Sequence, residues 1–75
     1  MKLCINGQDR IFPELGSDAP LSLLIDILQM KADRIAIERN GEIVPRNDWS
    51  QVFLTNNDRL EIVQFVGGGW DTAGV

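Results

Sequence analysis

Residue types that carry much of protein chemistry are missing or scarce in this chain of 75 residues. It has no histidine and one cysteine, Cys4, which excludes an internal disulfide framework and gives no Cys/His cluster for structural zinc. A catalytic role has little support without histidine. A lone thiol is typical of a reducing compartment, so we expect a cytoplasmic protein.

Long apolar runs and a surplus of positive charge are also missing. No apolar stretch approaches the roughly 20 residues that span a bilayer, and polar residues interrupt the N-terminus too early for a secretory signal. The net charge of -4 argues against a nucleic-acid partner held by phosphate contacts. We therefore expect neither membrane nor nucleic acid as a partner, while a protein with a basic docking surface remains compatible.

Two Asn-Gly pairs stand between short alternating segments and predict two β-hairpins. Asn6–Gly7 follows a segment in which Leu3 and Ile5 alternate with polar residues, and Asn40–Gly41 follows a similar segment later in the chain. Both residues of such a pair tolerate the positive φ of a type I′ turn.

The residues after Pro20 follow helical spacing. Pro20 suits a first helical turn, and Ser17 and Asp18 offer side-chain oxygens for capping. The helix is expected to end near residues 31–33. Its buried face is predicted to contain Leu21, Leu24, Ile25 and Leu28, widened by Leu23, Ile27 and Met30.

The last third of the chain contains its most apolar strand pattern, residues 60–66, which is apolar on both faces. Such a strand is usually central and covered on both sides, or parallel to a neighbour. Before it, Asp48 and Trp49 are expected to begin a partly helical crossover that the indole anchors in the core. Residues 52–54 are predicted as a short edge strand, and residues 56–58 as a turn.

This order of elements predicts an α+β fold, a ubiquitin-like β-grasp with a mixed sheet and one main helix packed across it. We assign residues 1–66 to the domain and residues 67–75 to a glycine-rich tail. Because the last strand leaves from the middle of the sheet, the tail is expected to project into solvent.

The tail begins with Gly67, Gly68 and Gly69. Three extended residues reach roughly 10 Å, and without side chains they form the slimmest thread a peptide allows. Such a thread can enter a narrow channel in another protein, where a terminal carboxylate can be activated. The alternative is a flexible linker or a frayed end.

Three segments give the chain a resemblance to the ThiS family of sulfur carriers in thiamine biosynthesis. They are "PLSLLIDIL" (residues 20–28), "IERNGEIVPRNDW" (residues 37–49) and "DRLEIVQFVGGG" (residues 58–69), within a resemblance that spans residues 1–69. The middle segment is the most specific, because it joins a hairpin turn to a Pro-Arg pair and a crossover tryptophan.

The resemblance implies a carrier rather than an enzyme, with no cofactor of its own. A ThiF-like E1 enzyme would use ATP to adenylate the carboxylate of Gly69, which follows Gly68 and, one position earlier, Gly67. A sulfur-relay enzyme would then convert this group to a thiocarboxylate, and a ThiG-like thiazole synthase would take the sulfur for thiazole formation. Family members usually end at the position of Gly69, whereas here Trp70–Val75 follow.

An internal peptide carbonyl cannot be adenylated as a carboxylate, so the uncut chain is expected to be inactive in sulfur transfer. Either a protease trims these six residues, or they belong to a fused domain or an appended segment. A MoaD-like carrier, or a carrier for amino-acid biosynthesis activated after trimming, is the nearest alternative function. A β-grasp interaction module whose tail is never activated is another.

The surface around the last strand is the expected docking region for such partners. Phe65 and Val66 are its predicted apolar anchors, and Arg59 and Glu61 its charged residues. Cys4 admits a sulfur-relay role, but its place in a strand and the lack of a basic neighbour in sequence favour a buried structural thiol.

Overall fold

Both Asn-Gly pairs adopt the predicted hairpin turns in the computed structural model, which describes residues 1–65. The φ angles are 51° and 83° at Asn6 and Gly7, and 51° and 89° at Asn40 and Gly41. These left-handed values are those of a type I′ turn.

The strands are Lys2–Ile5 (β1), Gln8–Ile11 (β2), Ile35–Arg39 (β3), Glu42–Ile43 (β4) and Arg59–Gln64 (β5), and the helices are Leu21–Leu28 (α1) and the single 3-10 turns Ala32–Arg34 and Arg46–Asp48.

The five strands form one mixed sheet in the order β2-β1-β5-β3-β4. The central strand, β5, runs parallel to β1 and antiparallel to β3. The central position and parallel neighbour predicted for this strand are therefore confirmed. The predicted α+β arrangement, with one main helix across a mixed sheet, is confirmed as well.

Helix α1 covers one face of the sheet and closes the core. Trp49 is 4% exposed, and its Nε1–H donates a hydrogen bond to the Val44 carbonyl at 2.8 Å, which confirms the predicted anchor. The indole is thus buried with its one polar atom satisfied. The core cluster contains Leu3, Ile5, Phe12, Leu15, Ala19, Leu21, Leu24, Ile25, Ile35, Ile37, Trp49, Leu54, Leu60 and Ile62.

Three predictions about the helix are wrong. The residue before the first turn is Pro20 itself, and no side chain caps the helix, so Ser17 and Asp18 do not have the predicted role. Leu23 is 38% exposed because two residues of helix place it about 200° around the axis from Leu21, on the solvent side. The helix ends at Leu28, before the predicted region, because Gln29 adopts a left-handed conformation with φ 58°.

The predicted edge strand at residues 52–54 is also wrong. Only one isolated bridge forms there, between Phe53 and Pro20. The segment lies along the entry to α1: the Leu21 N–H donates to the Val52 carbonyl and the Leu54 N–H donates to the Ala19 carbonyl, each at 2.8 Å. Its backbone groups are therefore satisfied by the helix entry rather than by a sheet partner.

No helix within residues 1–65 is long and apolar enough to cross a membrane.

Candidate functional site at the exit of the central strand

The last hydrogen bond described for the central strand joins it to the start of β3. The Phe65 N–H donates to the Arg34 carbonyl at 2.6 Å, next to the pairing of Gln64 with Ile35. The chain continues from this point toward the glycines. Val66, Gly67, Gly68, Gly69 and Trp70–Val75 lie outside the described residues, so the predicted thread and the domain boundary at residue 66 remain predictions.

The side chain of Asn6 is hydrogen-bonded to the middle of β5, at a point beyond the end of β1. Its Oδ1 accepts a hydrogen bond from the Ile62 N–H at 2.7 Å, and its Nδ2 donates to the Ile62 carbonyl at 3.1 Å. The side-chain amide thus replaces one residue of a neighbouring strand. From the sequence, Asn6 is predicted only as a turn residue, and this second role depends on a contact 56 positions away.

A buried carboxylate fixes the beginning of β5. Asp58 is 5% exposed and accepts hydrogen bonds from the Thr55 N–H at 2.8 Å, the Thr55 hydroxyl at 2.9 Å, Arg39 Nε at 2.9 Å and Asn40 Nδ2 at 3.1 Å. Burial raises the pKa of Asp58, but the hydrogen bonds from Thr55, Asn40 and Arg39 outweigh it and hold the pKa below its ordinary value. Sequence reasoning assigned Asp58 only to a turn and missed this network.

Asn40 adds a second tie at the same end of the strand. Its Oδ1 accepts from the Arg59 N–H at 2.9 Å, and its own N–H donates to the Arg59 carbonyl at 2.7 Å. The second hairpin turn is therefore hydrogen-bonded directly to the first residue of β5. Together with Asp58, it holds the strand rigidly at its start.

The predicted docking residues lie on the sheet face turned away from α1, which we call the open face. Leu60 and Ile62 point into the core, so Arg59, Glu61 and Val63 alternate onto the open face and are exposed. Phe65 continues the same alternation and is partly buried. The structure thus brings three of the four predicted docking residues together, and the fourth, Val66, lies outside the described part.

The open face also exposes two isoleucines that sequence reasoning missed. Ile43 is 71% exposed and Ile11 is 73% exposed, and Val63 is 56% exposed between them in the strand order. The register pairs Ile43 with Glu38 and Ile11 with Lys2, which places both isoleucines on the open face. Of the two alternatives given for such an apolar strand, β5 therefore shows the parallel neighbour rather than coverage on both sides by the described residues.

Cys4 lies on the open face as well. The register places it between Asp9 of β2 and Arg59 of β5, and its side chain is half-buried rather than fully buried. Its position within a strand is as predicted. The basic neighbour that sequence reasoning did not find, Arg59, comes from a strand 55 residues away in the sequence.

The sequence and structure comparisons with known proteins agree on one family. Residues 3–69 match the model of the ThiS family. The sulfur carrier protein ThiS of Bacillus subtilis is 39% identical over 67 residues, which cover 89% of this chain and 98% of that protein. The crystal structure of the thiamine biosynthesis protein ThiS from Geobacter metallireducens superposes with a TM-score of 0.77 at 26% identity, covering 92% of this chain and all of that one.

Longer proteins match too. A thiazole synthase of Paramagnetospirillum magneticum is 42% identical over 73 residues, or 97% of this chain, yet the chain spans 22% of that protein and 24% of a thiazole synthase from Magnetococcus marinus. The match to the family model ends at Gly69. The match to the Paramagnetospirillum thiazole synthase leaves at most two of the 75 residues of this chain unmatched, so it continues past Gly69 to at least Ala73.

The matched crystal structure agrees with the overall architecture described above. The ubiquitin-like β-grasp predicted from the order of elements is confirmed by this structural match. The chain belongs to the ThiS family.

Proposed function

We propose that this chain is a sulfur carrier of thiamine biosynthesis, not itself an enzyme, whose Gly69 carries the sulfur as a thiocarboxylate. The observation that supports this most directly is the family match, which extends through all three glycines and ends at Gly69. The strand that leads to these glycines is the central one of a sheet anchored on both sides. A firmly held strand followed by glycines suits a group that must visit several active sites.

The chemistry needs a free carboxylate on a residue without a side chain. In the proposed first step, a Gly69 carboxylate oxygen attacks the α-phosphate of ATP in a ThiF-like enzyme, and pyrophosphate leaves. The persulfide of a sulfur-relay enzyme then displaces AMP from the carbonyl carbon, and a thiol reductant cleaves the resulting acyl disulfide to leave the thiocarboxylate. Glycine leaves this carbon unhindered in both steps, and Gly68 and Gly67 keep the approach narrow.

Thiazole formation is the pathway that the comparisons favour. The two long relatives are both thiazole synthases, which supports a ThiG-like enzyme as the acceptor of the sulfur. Transfer to molybdopterin or to amino-acid biosynthesis, and the role of an interaction module, have no corresponding match among these relatives. Where Trp70–Val75 follow Gly69, we propose that a protease removes them and so frees the Gly69 carboxylate.

Docking is proposed to use the open face next to the strand exit. Phe65 provides apolar contact there, and Arg59 and Glu61 provide opposite charges on the same strand. Val66, the second predicted apolar anchor, lies outside the described residues. Val63, which lies between Glu61 and Phe65 on the same strand face, adds exposed apolar area. Aromatic and aliphatic anchors inside a charged rim are typical of transient protein interfaces.

Two forms of the protein test the proposal, the full chain and a chain ending at Gly69. Each is mixed with a ThiF-like enzyme, ATP and a sulfur donor, and pyrophosphate exchange and intact mass are measured. We expect the short form to exchange pyrophosphate and to gain about 16 Da as sulfur replaces oxygen, while the full chain stays inert until cleaved. Equal sulfur uptake by both forms would show that the terminal-carboxylate mechanism is wrong.

A further inference from the structure

A groove lies beside the strand exit on the helix side of the sheet. Its volume is about 870 Å³, and we call it the exit groove. Leu28 and Met30 are partly buried and supply apolar area at the end of α1, while the amide side chains of Gln29 and Gln64 add polar groups. The full lining is Leu28, Gln29, Met30, Lys31, Arg34, Gln64 and Phe65.

Both charged side chains that line the exit groove in the described part of the chain are positive. Lys31 and Arg34 are exposed, and neither forms an ion pair with any of residues 1–65. By contrast, Lys2 pairs with Asp9 at 3.5 Å, and Arg39 pairs with Asp58 at 2.9 Å.

No carboxylate of residues 1–65 lines the exit groove. Asp33 precedes Arg34 in the chain but lines a separate cavity together with Arg46. Two cations without an ion-pair partner among the described residues therefore share one concave site on a protein whose net charge is -4.

We propose that the exit groove binds an acidic loop of the adenylating partner, an inference that rests on the proposed carrier function. The reason is position combined with charge. Gly69 is four residues beyond Phe65, so its carbonyl carbon lies within roughly 14 Å of the strand exit when an active site receives it. Partner surface must therefore come close to the groove, and carboxylates there would pair with Lys31 and Arg34.

Apart from Phe65, which borders both surfaces, this contact is distinct from the open face. The groove lies between the end of α1 and the end of β5, whereas Arg59 and Glu61 point away from the helix. A partner that contacts both the exit groove and the open face encloses the end of β5, just before the glycines, from two sides. The cations then select an acidic partner, and the open face supplies apolar contact.

Charge reversal tests the proposal on the full chain and on the chain ending at Gly69. Binding of Lys31→Glu and Arg34→Glu to a ThiF-like enzyme is measured by calorimetry at low and high salt, with Lys31→Arg as the conservative variant. Arg10→Glu is the matched control, since it makes the same change in charge on β2, two strands from β5. Thermal unfolding establishes that each variant is folded.

We expect each groove reversal to weaken binding about tenfold at low salt and less at high salt, with Lys31→Arg and Arg10→Glu close to the parent protein. If the groove variants and Arg10→Glu bind equally well while the parent chain ending at Gly69 is still adenylated, the proposed groove contact is wrong and the carrier function stands. A parent chain ending at Gly69 that is never adenylated would overturn the carrier function itself. If the reversals act only on the full chain, its own residues 70–75 occupy the groove and the proposal is wrong.

Discussion

The two ends of the central strand are organised in opposite ways. At its start, Asp58 accepts four hydrogen bonds and Asn40 ties the first residue of β5 into the second hairpin. At its end, Phe65 is partly buried, and Lys31 and Arg34 have no ion-pair partner within the described residues. The start is therefore specialised for stability, and the end keeps charge and apolar surface available for partners.

Removing the carboxylate at the start should have the largest effect on stability. Asp58→Ala leaves Arg39, Asn40 and the Thr55 N–H without their buried acceptor, and we expect a loss of about 2–4 kcal/mol in the free energy of unfolding. Urea unfolding measures it. Asp9→Ala, which removes an exposed carboxylate paired at the surface, is the control and should cost less than about 1 kcal/mol. Similar losses in both variants would show that the buried carboxylate of Asp58 stabilises the fold no more than an exposed one does.

Truncating the amide at the middle of the strand should have a smaller effect. Asn6→Ala removes both hydrogen bonds to Ile62 and also places alanine at φ 51°, and we expect a loss of about 1–3 kcal/mol. Asn6→Gly separates the two causes, because glycine accepts the φ angle without restoring the bonds. If Asn6→Gly matches the parent protein in urea unfolding, the amide does not hold β5.

Acid should weaken the start of the strand through Asp58. Its pKa in the folded protein is below the ordinary value of 3.8, so the unfolded chain binds more protons in the range between the two. The contribution of Asp58 is complete above the unfolded pKa and is lost as the pH falls through the folded pKa. Stability measured from pH 6 down to pH 2 should therefore fall more steeply for the parent protein than for Asp58→Asn. Parallel curves would show that this carboxylate is not the cause.

At the strand end, the same type of experiment should change binding rather than stability. We expect Phe65→Ala to weaken association with a ThiF-like enzyme about tenfold while the free energy of unfolding changes by less than about 1 kcal/mol. Leu60→Ala, in the core-facing row of the same strand, is the control and should cost about 2–5 kcal/mol. Unchanged affinity in a folded Phe65→Ala variant would remove this part of the open face from the interface.

The smallest effects are expected from the charges on the open face. Glu61→Lys and Arg59→Glu should alter mainly the association rate and its salt dependence, because both side chains are exposed and screened. Stopped-flow measurements at two salt concentrations separate rate from stability. A change confined to the dissociation rate would indicate that these residues are buried in the complex.

Local patterns were sufficient for the elements whose causes are local. The Asn-Gly turns, the buried face of α1 and the central strand were predicted because turn chemistry and periodicity act over a few residues. The failed prediction for residues 52–54 depends on neighbours from elsewhere in the chain, whereas the early end of α1 has a local cause. Residues 52–54 pair with the helix entry instead of a strand, and α1 ends earlier because Gln29 turns left-handed.

For the candidate site, the sequence by itself determined which residues alternate along β5, that three glycines follow it, and the family to which these segments belong. Only the tertiary structure decided that Asp58 is buried among Thr55, Asn40 and Arg39, and that Asn6 replaces a strand residue. It also decided that Lys31 and Arg34 share one groove with Gln64. The contacts of Asp58 with Arg39 and of Asn6 with Ile62 join residues 19 and 56 positions apart, so no local pattern encodes them, and they exist only once β1, β3 and β5 lie side by side.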